Sequence, residues 1–261
     1  YGDPRDLPSF PTRRSSDLFG SLVQKNGTFN VGLGSIVVDT YTASGGAFNI
    51  DRGGSFTAGT ITLLPGSPDL NITTGIPAGA QTVLEIGAGG ISMTGQYIQL
   101  GTGSSGNVMG SGGVLKLGGD LTHTGTDLIG GSYSRKGIFV QLGSSFRQLG
   151  NSRIDLMEGD REFTIDTDSI FTITPRIVNG GLIKSGGGAL VLEPYQGNGF
   201  AGTITVNEGI LQAKGDGALG TSAGGVDINS GATVKLDSSW TYGDDFTVSG
   251  PGSLVPGGLG V

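Results

Sequence analysis

The side chains best placed to do chemistry in this sequence are carboxylates. Asp155, Glu158, Asp160 and Glu162 surround Arg161, and Asp166 and Asp168 follow a few residues later. Two carboxyl groups held together can serve as general acid and general base on a glycosidic bond. Asp166 and Asp168 have the same parity, so a strand would send both to one face. The enzyme such residues would make is carbohydrate-active, a polysaccharide lyase or hydrolase. The plainer reading, a solvated charge cluster at a loop, is the one the sequence favours. Asp244 and Asp245 follow Trp240 and Tyr242. An aromatic pair beside acids can hold a sugar, but a turn is again the simpler assignment.

Other chemistries fail on residue type. There is no cysteine, which removes disulfides, thiolate metal sites and a Cys nucleophile. The single histidine, His123, lies in a Thr-rich stretch and reads as a surface residue. Serines are so common that no Ser–His–Asp set can be argued from it. Glycine runs such as Gly101-Thr102-Gly103 and Gly186-Gly187-Gly188 lack the Lys-Ser/Thr and following helix of a phosphate loop. The glycine-aspartate calcium nonapeptide does not recur. Lys214-Gly215-Asp216 resembles a minimal adhesion tripeptide, too short to use. The expectation is a chain that is not an enzyme, with no catalytic, cofactor-binding or metal-ligating residues.

What must position these groups is set by composition and period. Glycine supplies 53 of 261 residues, without the every-third spacing of collagen. The chain is 35% hydrophobic and 14% charged, so it can bury a core and is not of disordered type. Its net charge of −7, with Lys and Arg scattered, excludes a basic nucleic-acid footprint. No apolar run approaches the roughly 18 residues of a membrane-spanning helix, so no membrane insertion of this segment is expected.

Short apolar strands recur about every 22 residues, beginning near Phe29, Phe48, Leu70, Ile91, Val114, Ile138, Phe163, Leu182, Ile204, Val226 and Phe246. A second strand usually follows each after a break containing glycine, as in Leu182–Lys184 with Ala189–Leu192. A period of that length with no helix in the unit predicts a stacked solenoid of strands. The fold class read here is all-β, a right-handed parallel β-helix of about eleven coils of roughly 22 residues. Stacked at about 4.8 Å per coil it makes a rod of about 50 Å. Alternate side chains enter the interior and form columns. Phe29, Phe48 and Leu70 read as one column with Val31, Ile50 and Ile72 beside it. Asn30, Asn49 and Asn71 read as an outward ladder between them. Inward parity stays open at Leu182-Ile183 and Val114-Leu115, which are apolar at both positions. Loops are expected at 125–135, 158–161, 194–201 and 238–245.

Residues 1–18 break this pattern. They carry Arg5, Arg13 and Arg14, and Ser9–Leu18 resembles one translated frame of a sequencing adapter. They read as a non-native or disordered segment, leaving residues 19–261 as one β-helical domain incomplete at both ends.

Residues 180–213, GGLIKSGGGALVLEPYQGNGFAGTITVNEGILQA, carry a family signature. Gly180, Gly181, Leu182, Lys184, Gly186, Gly188, Leu190 and Leu192 are followed in register by Asn198, Phe200, Gly202, Thr205, Val206, Gly209 and Leu211. This closely resembles the passenger-associated β-strand repeat of bacterial autotransporters. Ala218-Leu219-Gly220 and Asn229–Val234 extend the match, and Glu193-Pro194 departs from it. Upstream of Asn179 only strand spacing and glycine placement remain similar. The resemblance implies a β-helical stalk or passenger, secreted or on the surface of a Gram-negative-type cell. Its implied ligands are host-cell, matrix or polysaccharide surfaces. It also implies a C-terminal β-barrel translocator in the full-length protein, of about twelve alternating segments, which residues 19–261 do not contain. The runner-up functions are a carbohydrate-active enzyme on the same fold and a secreted matrix or filament repeat protein.

Overall fold

The computed structural model describes residues 18–51, 53–67, 70–72, 82–94, 97–100, 113–124, 137–139, 153–167, 169–173, 175–194, 197–237 and 241–256. Within them there is no helix. The regular structure is β-strand, and the strand pairings are parallel. The chain is a β-solenoid.

Its largest sheet has 12 strands. The longest path runs through Leu18–Gln24, Ser35–Ala43, Ser55–Leu63, Val83–Ile86, Val114–Leu117, Arg153–Ile165, Arg176–Ser185, Ile204–Val206, Val226–Ile228 and Phe246–Val248. Ile91–Thr94 and Leu121–Thr124 complete it off this path. The long strands bend and serve two sides of the coil. Ser55–Ala58 pairs with Val83–Ile86, whereas Ile61 and Thr62 pair with Ile91 and Ser92. Arg153–Asp155 and Phe163–Ile165 divide their partners in the same way. The third side is formed by two five-stranded sheets. One holds Thr28–Val31, Ala47–Ile50, Leu70–Ile72, Tyr97–Leu100 and Gly137–Phe139. The other holds Ile170–Ile173, Ala189–Leu192, Ile210–Ala213, Thr233–Leu236 and Ser253–Pro256.

The coils are fewer than the eleven expected, and the longest path among the described residues has ten strands. The apolar triplets of different sides look alike in sequence, and the middle rungs are longer. Ser55, Val83, Val114 and Arg153 stack at steps of 28, 31 and 39 residues, against 22 for Leu182, Ile204 and Val226. An even 22-residue count therefore drifts from one side to another. The column begun by Phe29, Phe48 and Leu70 continues through Ile98 and Ile138, not Ile91 and Val114.

Burial alternates as a pleated wall requires. Ala47–Ile50, Val83–Ile86 and Ile210–Ala213 each alternate half-buried with buried positions. The β-branched and aromatic side chains that fill these positions suit short stacked strands. One inward column runs Tyr41, Ile61, Ile91, Leu121, Phe163, Lys184, Val206 and Ile228. Both ambiguous pairs resolve. Leu182 faces in with Ile183 half-buried, while Val114 and Leu115 are both buried. Corners are tight enough to demand glycine in places. Gly209 has φ of 67° and lies over the carbonyl oxygens of Gly188 and Gly186, where a Cβ would collide.

Candidate functional site

The acidic segment around Arg161 is not a loop. It lies inside the strand Arg153–Ile165, where the register shifts between Asp155 and Gly159. Met157 and Glu158 take φ of 53° and 59° at this bulge, and Asn179 on the next rung takes 57°. Extra residues in a strand bend it and re-aim its side chains. Their polar groups serve the backbone. Asp155 Oδ1 accepts from Met157 N–H at 3.0 Å and from Asn179 Nδ2 at 3.1 Å. Asp120 Oδ1 accepts from Glu162 N–H at 2.9 Å. Arg161 Nε donates to Leu117 O at 2.9 Å and Leu156 O at 3.1 Å. Arg161 stands in register with Leu182, at the head of the inward column that continues through Ile204 and Val226. The bonds of this segment hold a corner in shape.

Asp166 lies beyond the end of its strand, exposed in the corner before Ser169, with its Oδ1 accepting from Thr167 N–H at 2.9 Å. The expected placement of Asp166 and Asp168 on one strand face therefore does not hold for Asp166, and Asp168 lies outside the described residues. At the other acidic place, Tyr242 OH donates to Ala213 O at 3.0 Å and the ring packs on the core. Burial raises its phenol pKa. Tyr242 is thus part of the wall and not an open platform. Asp244 Oδ1 is buried without a hydrogen-bond partner among the described residues, and burial raises that carboxyl too. Trp240 lies outside the described residues. The backbone of His123 pairs with Met93 and Ile165, and its side chain is not among those described.

The most unusual group was not singled out by reading for chemistry. Lys184 is fully buried in the lumen, in register between Phe163 and Val206. Its ammonium donates to Ser185 O at 2.8 Å, Gly186 O at 2.6 Å and Glu208 O at 3.1 Å. These three acceptors match the three donors of an ammonium. Burial pulls the amine down to about 8, with the Glu208 charge acting the other way. The signal was parity: Leu182 faces in, so Lys184 must as well.

Four further polar devices brace the coil. Tyr41 OH donates to Gln24 Oε1 at 2.6 Å, and Gln24 Nε2 donates to Gly27 O and Ala47 O. Asn198 is buried, accepting from Ile177 N–H at 2.8 Å and donating to Ala218 O at 2.6 Å. Asn49 Nδ2 donates to Asn30 Oδ1 at 2.8 Å, which makes the expected ladder real on two rungs, with Asn71 in register above. A second ladder joins Asn229 to Asn207 and Asn207 to Ser185.

Among the described residues no group of three or more His, Cys, Asp or Glu side chains could hold a metal ion. Chemically, the arrangement as described satisfies buried polar atoms other than Asp244 Oδ1 and stiffens corners. No protein-family model, curated protein or solved structure matches this chain.

Proposed function

We propose that this chain is a non-catalytic β-helical stalk or passenger segment of a secreted or cell-surface autotransporter-like protein, presenting adhesive surfaces to host cells, matrix or polysaccharide. One observation carries the reading. The positions resembling the passenger-associated repeat are those with structural duties in the stack. Leu182, Leu190, Leu192, Val206 and Leu211 line the lumen. Lys184 is bonded to corner carbonyls, Asn198 joins two rungs, and Gly209 fits where no side chain can. A solenoid built this way grows by adding rungs and offers a long wall. The polar groups around Arg161 bind backbone atoms, which supports a structural role for that segment.

The test is display. The chain is placed between an export signal and an outer-membrane β-barrel in a Gram-negative host. The expected result is a folded, protease-resistant segment reachable from outside by antibody, with attachment to host cells or matrix. Retention as unfolded chain inside the envelope would sink the export reading. Polysaccharide cleavage by the purified chain, abolished by Asp155→Asn, would replace it with the enzyme reading.

A further inference from the structure

The sequence holds three Asn-Gly pairs, beginning at Asn26, Asn179 and Asn198, and the fold treats them differently. In such a pair the glycine nitrogen can attack the asparagine side-chain carbonyl, because glycine has no side chain to block the approach. Asn198 is shut out of that reaction. It is buried, its Oδ1 accepts from Ile177 N–H, its Nδ2 donates to Ala218 O, and Gly199 N–H donates to Ile177 O at 2.8 Å. Asn179 is exposed, but its Nδ2 donates to Asp155 Oδ1, and Gly180 is paired with Gly159 in the sheet. Asn26 lies in the corner between Leu18–Gln24 and Thr28–Val31, and both Asn26 and Gly27 are exposed. Neither the Asn26 side-chain amide nor the Gly27 N–H bonds another described residue. Gly27 has φ of 80°, and a Cβ built on it would meet nothing within 4 Å, so the space over the pair is open.

We propose that Asn26 is a self-modifying site that converts to isoaspartate in the folded chain. The Gly27 nitrogen loses its proton and bonds to Asn26 Cγ, the Cγ–Nδ2 bond breaks, and ammonia leaves. The succinimide so formed takes up water and opens to aspartate or isoaspartate, with nothing oxidised or reduced. Ring closure consumes a Gly27 N–H that no hydrogen bond of the stack requires. At Asn198 it would break three hydrogen bonds, which corresponds to a reaction roughly a hundredfold slower. Isoaspartate routes the main chain through the side-chain methylene, which lengthens it, and leaves a carboxylate at the corner. Gly27 O stands at the seam this disturbs. It accepts from Ala47 N–H at 2.8 Å and from Gln24 Nε2 at 3.1 Å, and Gln24 is the amide that meets Tyr41. The modification therefore loosens the aromatic end of the rod as the protein ages.

The test ages the whole folded chain in mildly alkaline buffer and reads asparagine and isoaspartate at each pair by peptide mass spectrometry. The expected result is conversion at Asn26 first, with Asn179 slower and Asn198 about a hundredfold slower than Asn26. In urea the three rates should converge, because the fold alone separates them. Asn26→Gln, at an exposed position, should keep the parent unfolding midpoint and abolish the fast phase. Amide exchange over residues 24–50 should quicken with age in the parent chain and not in Asn26→Gln. Equal rates at Asn26 and Asn198 in the folded chain, or a ranking that urea leaves unchanged, would overturn the site. Conversion at Asn26 with exchange unaltered would overturn its effect on the corner.

Discussion

Tyr41 and Lys184 stand five rungs apart on one inward column, and the regions around them place a polar atom in the lumen by different chemistry. Around Tyr41 the interior is aromatic. Phe48 lies 5.1 Å from its ring and Phe56 5.6 Å, with Phe29 stacked on Phe48 at 5.5 Å. The donor there is a neutral hydroxyl, and a side-chain amide, Gln24, meets it. Lys184 stands between Phe163 and Val206, the donor is a cation, and main-chain carbonyls from two successive rungs meet it. A buried polar group costs little only when its hydrogen bonds are complete. Among the described residues the lumen therefore admits polar atoms at corners, where backbone or amide groups turn inward, and its columns are apolar between them.

The sharpest way to break that rule is Leu190→Asp. Leu190 is fully buried, in register with Phe171 and Leu211, and none of its neighbours is a corner donor. The substitution loses apolar packing and strands a carboxyl, so it should cost at least about 3 kcal/mol. The measurement is the shift of the urea midpoint. A midpoint like that of the parent chain would mean this part of the lumen is wet, and Lys184 would need no carbonyl cage.

The second effect is a pH slope. Unfolded, a lysine amine holds its proton to about 10.5, whereas folded Lys184 releases it near 8. Between those values the unfolded chain binds more protons, so stability from this group rises with pH. It is lost as pH falls through about 8. The full span is on the order of 3 kcal/mol. Tyr41 acts in the opposite sense above its ordinary value of 10.0, because burial raises its phenol. Thermal unfolding should therefore be compared at pH 8 and pH 10. The parent chain should gain stability across that interval more steeply than Lys184→Met. Parallel curves would show that Lys184 is hydrated.

Tyr41→Phe is smaller. It removes the hydroxyl but leaves Gln24 Oε1 buried without its donor, at about 1–2 kcal/mol. In a solenoid each rung contacts only its neighbours. Faster amide exchange should appear over residues 24–50 and not over 180–213. Spread along the whole rod would mean one cooperative core in which the two regions are not separate.

The sequence made the wall legible and left the corners obscure. Strand alternation identified the lumen at Phe48, Ile50, Leu70 and Ile72, because a two-residue period is local. It did not assign strands to sides, because Ile91, Ile98 and Val114 have the same local pattern on different sides. The bulge at Met157–Glu158 hid for a related reason. A polar run inside a strand looks like a loop unless its partner rung is known. Lys184 was visible as a motif position, yet its burial depends on Glu208 O from the next rung, a contact 24 residues away.

The smallest effect tests whether the two regions are independent. Asn30–Asn49 and Asn207–Asn229 are outward ladders on different sides, one in each region. Asn49→Ala removes the bond to Asn30 and Asn229→Ala the bond to Asn207, each at a partly solvated position and each bond worth about 0.5–1 kcal/mol. Sites far apart with no shared partner add to within about 0.5 kcal/mol. The double variant should then lose the sum of the two single effects. A coupling well beyond that would mean strain at one end of the stack is felt at the other. The column Ile61, Ile91, Leu121 and Phe163, apolar among the described residues, would be what carries it.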